Sequence, residues 1–407
     1  MSLRVLYLAH DLADPAIRRR VLMLVAGGAE VMLAGFRRDS NDLAAVEGVM
    51  PIELGTTADG RFAQRIAAVV KAVAGAGRTL GLLPRPDVIL ARNLEMLAVA
   101  RRASALFGPP VPIVYECLDI HRLLLKQNAA GRMLRGLEGW LARDARLLMT
   151  SSPAFVEHYF KPLSSVDLPV MLMENKVLDL SDRQVAPPPQ RRPAPDEPWR
   201  IGWFGALRCA KSLELLAAFS RAMQGRVQVD LRGRPSYAVL PDFDARIAAE
   251  PYMHFHGAYK NPEDLERIYG QAHFAWAIDF YEEGQNSSWL LPNRLYESCR
   301  HGAVPIAFAG TQTARTLGGK GLGFALERAD PDALVQLFDA MTGPAYDAAL
   351  AALAAAKPED FTAGRRDCEA LVQRLRNLAQ GLPTPAAGLQ GSMTPYRSSL
   401  EVDAQDG

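Results

Sequence analysis

Apolar residues fall along the chain in short runs, and most runs are followed by a segment with helical spacing. Leu3-Arg4-Val5-Leu6-Tyr7-Leu8-Ala9 reads as a buried parallel strand. Asp11 to Pro15 reads as a loop, with Pro15 suited to a first helical turn, and a helix over 16–26 stops at Gly27-Gly28. Val31 to Ala34 is a second strand. Phe62, Ile66, Val69, Val70 and Val73 mark one helix face. Asp87 to Leu90 is a third strand, and a helix follows from about Leu94 to Leu106. Pro109 to Val114 brings the next strand, Met133, Leu137, Trp140 and Leu141 mark another helix, and Leu147 to Met149 forms a further strand. Strands alternating with helices predict βαβ units and a parallel sheet. Right-handed crossovers then gather the loops after the strand ends on one edge, where function is to be sought.

The pattern breaks at Ala186-Pro187-Pro188-Pro189-Gln190-Arg191-Arg192-Pro193-Ala194-Pro195, a proline-rich polar run of linker type. It then restarts at Ile201 to Phe204, Val227 to Leu231, His254-Phe255, Phe274 to Ile278 and Val304 to Phe308. We therefore expect a first α/β domain over 1–178, a linker over 179–198 and a second α/β domain over 199–380. Residues 381–407, rich in Pro, Gly, Ser and Gln, are expected to be a largely disordered tail. Two Rossmann-like halves of this kind are expected to form a cleft that serves as the ligand site.

Composition narrows the function. The 407 residues carry 46 basic and 45 acidic groups and are 49% hydrophobic, which excludes a disordered chain and a nucleic-acid binder built on bulk positive charge. No apolar run approaches the roughly 20 residues of a membrane span, and the start lacks a signal peptide's apolar core, so a cytoplasmic protein is expected. Cys117, Cys209, Cys299 and Cys368 are far apart and lack zinc spacing; they read as reduced, mostly buried thiols. Neither GxGxxG nor GxxxxGK[ST] occurs, which argues against a dinucleotide oxidoreductase and a P-loop NTPase. Asp242-Phe243-Asp244 has the DxD pattern of metal-dependent transferases but follows Pro241 at a predicted helix start, where acids are common caps. No metal and no cofactor is expected.

Several segments, in order, resemble one family. Asp14-Pro15-Ala16-Ile17-Arg18 followed by Gly28-Ala29-Glu30-Val31, then Asp119-Ile120-His121, Asn175-Lys176-Val177, and Gly205 with Lys211 six residues on, are similar to motifs of the GT-B glycosyltransferases. So are Asn293-Arg294-Leu295-Tyr296-Glu297 and Gly302-Ala303-Val304-Pro305-Ile306. The resemblance is to the large retaining family 4 group that uses nucleotide-diphosphate sugars. It spans about residues 4 to 330. Two departures stand out: Ala206 replaces the arginine of the glycine-turn motif, and Trp289 stands eight residues before Glu297, where the family often has a glutamate.

The resemblance implies a GT-B fold and a donor site for a UDP- or GDP-sugar in the second domain. Glu297 would accept hydrogen bonds from ribose hydroxyls. Arg208 and Lys211, at a strand–glycine–helix junction, would neutralise the leaving diphosphate, with Asn293 and Arg294 beside them. Asn286-Ser287-Ser288-Trp289 could cradle a phosphate but reads more readily as a turn with a buried Trp. In the first domain Asp119 would orient or deprotonate an acceptor hydroxyl, with Glu116 as competitor, and His121 would touch the donor sugar. Asp14, Arg18, Arg92 and Asn93 would line the acceptor pocket; otherwise Asp14 is a helix cap and Arg18 its ion-pair partner.

Residues 61–146 hold 14 basic and 6 acidic groups. Arg132, Arg135, Arg143 and Arg146 beside Met133, Leu137 and Trp140 fit a peripheral association with anionic lipid at the inner membrane, against the plainer reading of a solvated face. The expected activity is sugar transfer to a saccharide or lipid-linked acceptor in bacterial polysaccharide or glycolipid synthesis. A GT-B nucleotide-sugar epimerase and a non-catalytic GT-B partner protein are the alternatives.

Overall fold

The computed structural model describes residues 2–38, 44–57, 62–181 and 192–382. Most of the proline-rich linker and nearly all of the C-terminal tail lie outside the described residues. The chain forms two compact units. The first comprises the described residues up to Glu174 together with 178–181 and 363–382; the second comprises 175–177 and 192–362.

The first unit holds seven parallel strands: β1 (Leu3–Ala9), β2 (Ala29–Arg37), β3 (Ile52–Thr56), β4 (Val88–Arg92), β5 (Ile113–Cys117), β6 (Ala145–Thr150) and β7 (Val170–Leu172). Their order is β3-β2-β1-β4-β5-β6-β7, so the winding direction reverses between β1 and β4. Past β8 (Val177–Leu178), the second unit holds β9 (Trp199–Leu207), β10 (Val227–Pro235), β11 (Met253–Phe255), β12 (Phe274–Trp276), β13 (Val304–Phe308) and β14 (Phe324–Leu326). These are also parallel, in the order β11-β10-β9-β12-β13-β14, and reverse between β9 and β12. A last short strand, β15 (Thr362–Ala363), pairs with β8. In such sheets the loops beyond the strand C-termini part at the reversal and leave a crevice. Each unit therefore has one preferred site position.

Both cores follow from the apolar runs. Val5, Tyr7, Val88, Leu90 and Val114 pack with Ile17, Val21 and Leu24 of the helix Pro15–Ala26 in the first unit. Ile201, Trp203, Val229, Trp276 and Ile306 do the same with Leu216 and Phe219 in the second. Buried Trp276 donates its indole N–H to Ser212 Oγ (3.1 Å), which satisfies its polar edge. The four cysteines are free and buried.

One boundary differs from the sequence reading. The closing helix Arg365–Ala379 falls in the range 199–380 assigned to the second domain, yet it packs into the core of the first. Its Cys368, Leu371, Val372 and Leu375, spaced to share one face, are all essentially inaccessible and lie with Val21 and Leu24. The helix comes so close to Gly27 that a β-carbon there would sit 2.3 Å from the carbonyl oxygen of Cys368. A hydrophobic stripe tells that a helix is buried, but not against which sheet.

Among the described residues no helix is long and apolar enough to cross a membrane.

Candidate functional site

The first unit gathers a polar cluster at its reversal point. Asp14 is the N-cap of the helix Pro15–Ala26, with Oδ1 accepting from Ala16 N–H (2.9 Å). Its Oδ2 lies 3.4 Å from Arg92 Nη2, at the end of β4, and 3.8 Å from His10 Nε2, just past β1. Arg92 also reaches Glu116 on β5 (3.4 Å). Glu116 is wholly buried and accepts from Arg20 Nε (2.7 Å) and from the Tyr7 hydroxyl (2.7 Å). Burial alone would push its carboxyl up, but Arg20 and Arg92 outweigh burial and hold it at about 2. Glu116 is thus an anion already committed to two arginines, and it does not compete as a base. Burial and then Arg92 press His10 down to about 4, so its ring is neutral at pH 7.

The other first-unit candidates lie around this cluster. Asn93 follows Arg92 with φ +67°, an uncommon backbone for a residue with a side chain, at the start of the helix Asn93–Ser104. Arg18 is half exposed and pairs with Glu47, which sets aside the alternative that it is the ion-pair partner of Asp14. Asp119 and His121 stand in the exposed loop after β5, the strand beside β4. His121 caps the short helix Arg122–Leu125, its Nδ1 accepting from Leu123 N–H (3.3 Å). In the neutral ring the proton is then on Nε2. Asp14, Arg92 and Asn93 are brought together directly; Asp119 and His121 share their sheet edge.

In the second unit Gly205 (φ +109°) lies near the end of β9, which closes at Leu207 and leads through Arg208 to the helix Ala210–Ala222. Across the reversal lies the segment after β12. Arg208 is 3.9 Å from Asp279 and stacks over the Tyr281 ring (4.6 Å). Lys211 Nζ donates to both oxygens of Glu283 (2.9 and 2.6 Å) and lies 4.4 Å from the centre of the Phe280 ring. Arg294 Nη1 donates to the Trp276 carbonyl at the end of β12 (3.3 Å), and Asn293 is exposed at the first turn of the helix Asn293–Arg300. Arg208 and Lys211 thus both face the segment that follows β12, and Arg294 is tied to the end of that strand.

Glu297 sits in a polar group of its own. It is 5% exposed, with Oε1 accepting from Asn261 Nδ2 (2.9 Å) and Oε2 from the Tyr269 hydroxyl (3.0 Å). Tyr259 completes the group. Its hydroxyl lies 4.0 Å from where a β-carbon on Gly205 would stand; burial and then Glu297 push its ionisation up, and Arg294 opposes them. Sequence reasoning missed Tyr259, Asn261 and Tyr269, which lie 28 to 38 positions before Glu297 and carry no spacing signal.

The weaker candidates resolve locally. Ser287 Oγ accepts from Glu282 N–H (2.8 Å) and Ser288 Oγ from Gly284 N–H (2.9 Å), so these hydroxyls fold their own loop. Asp242 occupies the N-cap position of the helix Phe243–Ala248, and Asp244 accepts from Tyr237 (3.1 Å); neither ends a strand. Arg135, expected on a lipid-facing surface, is buried and donates to the carbonyl of Lys126 (2.8 Å).

With this geometry in place, comparison with known proteins is informative. The glycosyl transferase 4-like domain family matches residues 1–165. The chain is 59% identical over 395 residues to the succinoglycan biosynthesis protein ExoL of Rhizobium meliloti (strain 1021), across 96% of this chain and 98% of that protein. Among solved structures it resembles sucrose-phosphate synthase from Thermosynechococcus elongatus, with a TM-score of 0.65 at 15% identity over 93% of this chain and 98% of that one. It also resembles Anabaena HepE in complex with UDP-glucose, with a TM-score of 0.62 at 14% identity over 93% of this chain and 100% of that one. At such identities the structural likeness speaks for the fold.

Proposed function

The chain belongs to the family 4 glycosyltransferases of GT-B fold, and on that premise we propose that it moves a sugar from a UDP- or GDP-sugar to a saccharide or lipid-linked acceptor in bacterial exopolysaccharide assembly. The extended likeness to a succinoglycan biosynthesis protein supports the setting, and the UDP-glucose complex of HepE supports a nucleotide sugar as co-substrate. The observation that carries the reading is the approach of Arg208 and Lys211, just past the end of β9, to the segment that follows β12.

The bond from the sugar C1 to the diphosphate oxygen breaks, and the electron pair leaves with the phosphate. Arg208 and Lys211 stabilise the charge that develops there. To do so they exchange Asp279 and Glu283 for phosphate oxygens. Both pairs are partly exposed, where such contacts hold only about 0–1 kcal/mol, so the exchange costs little. The acceptor oxygen forms the new bond to C1. In the retaining, metal-independent course we propose, its proton passes to the departing phosphate, and Asp119 orients the hydroxyl. Asp14, Arg92 and Asn93 line the acceptor side, and no cofactor beyond the nucleotide sugar takes part.

We also place the enzyme at the cytoplasmic face of the inner membrane. On the helix Ala129–Ala142, Met133, Leu137 and Trp140 are 75%, 46% and 52% exposed, and Arg132 and Arg143 are exposed beside them. An apolar stripe flanked by cations suits an anionic lipid surface.

The test is turnover of a panel of UDP- and GDP-sugars with and without a bacterial lipid extract as acceptor. Nucleoside diphosphate release that requires the extract, with kcat/KM reduced about tenfold or more in Arg208→Ala, is expected. Acceptor-independent conversion of the nucleotide sugar would instead identify an epimerase. Absence of any nucleotide binding would identify a non-catalytic partner.

A further inference from the structure

We infer that Arg234, at the end of β10, is a diphosphate-binding side chain of the second unit's site. The inference rests on the donor reading above and adds a residue to it. β9 and β10 pair in parallel with Gly233 opposite Gly205 and Arg234 opposite Ala206. Both glycines have positive φ, +109° at Gly205 and +134° at Gly233. A β-carbon on Gly233 would stand 1.9 Å from the Gly205 carbonyl oxygen, so the two strand ends meet backbone to backbone. Residues in register on neighbouring parallel strands project to the same face of a sheet. Arg234 therefore emerges on the side of Ala206, and both are exposed, whereas Gly233 and Leu207 beside them are buried.

The strand spacing of about 4.8 Å is within an arginine's reach, and the methyl group of Ala206 leaves the way across open. Arg208 follows two residues beyond Ala206, just past the end of the same strand. Among the described residues Arg234 makes no side-chain hydrogen bond or ion pair, whereas Arg208 and Lys211 already face Asp279 and Glu283. A diphosphate can thus engage the Arg234 guanidinium without displacing an acid, and its planar fork can hold two phosphate oxygens at once.

Calorimetric titration of the full chain with UDP, GDP, uridine and guanosine tests this. Arg234→Ala should weaken the diphosphate that the wild type binds by about 10- to 100-fold and leave the matching nucleoside unchanged. Arg234→Lys should fall between. Arg234→Ala combined with Ala206→Arg should recover affinity, because the register puts an equivalent charge one strand away. A purely structural arginine would not be rescued in this way. Wild-type affinity in Arg234→Ala, or equal loss of nucleoside and diphosphate, overturns the inference while the donor reading stands. A folded wild type that binds neither diphosphate overturns both.

Discussion

Replacing Glu116 with glutamine keeps its shape and removes its charge, which isolates the network that holds the first unit's cluster. Arg20 and Arg92 are each 5% exposed, and Glu116 itself is inaccessible. Breaking a buried pair by removing one partner leaves an uncompensated charge and costs about 3–5 kcal/mol. A second route gives a similar size. The Glu116 carboxyl titrates at about 2 in the fold against 4.5 outside it, a difference worth about 3 kcal/mol. Because the folded value is the lower one, this stabilisation is fully present above pH 4.5. It is lost as the pH falls towards 2. In a unit of this size the substitution should lower the melting temperature by on the order of 10 °C at pH 7. The assay is urea unfolding from pH 3 to 7, read by hydrogen exchange in peptides from β1, β4 and β5, because two units need not unfold together. The wild type should lose stability in those peptides below pH 4.5, and Glu116→Gln should be weaker at pH 7 with a flatter acid limb. Equal urea midpoints at pH 7, or parallel acid limbs, would refute the argument.

Gly233→Ala should destabilise the second unit by on the order of 3 kcal/mol, since it combines a positive φ with a β-carbon pressed on the Gly205 carbonyl; denaturant midpoints check this. Met133→Glu with Leu137→Glu should abolish co-sedimentation with vesicles rich in anionic lipid. The melting temperature should stay within about 1–2 °C of the wild type, because both side chains are already in water. Retained sedimentation would remove this helix as the docking face.

Much of the fold was legible because parallel strands buried on both faces must be apolar throughout. Leu3–Ala9, Val88–Arg92 and Val304–Phe308 announce themselves by that pattern. Arg208 and Lys211 could be placed near one loop for a local reason: they follow directly on the apolar run of β9. Glu297 shows where this reasoning stops. Its bonds to Asn261 and Tyr269 depend on packing between distant segments, which no local spacing announces. Arg135 failed similarly: helical spacing placed it among exposed arginines, yet it turns inward to a backbone carbonyl that only the tertiary fold brings near. Arg234 lies in an ordinary basic stretch until strand register sets it against Ala206.

The closing helix also bears on how the protein is made. A ribosome releases β1 to β7 long before Cys368, Leu371, Val372 and Leu375 are synthesised. Until then Val21 and Leu24 lack part of the surface that covers them. The first unit must therefore wait, partly open, while all of the second is translated, and the second is free to fold ahead of it. A nascent chain of this kind spends its synthesis with an apolar groove exposed, which favours chaperone engagement at the N-terminal half. A fragment ending after residue 181 would keep that groove permanently.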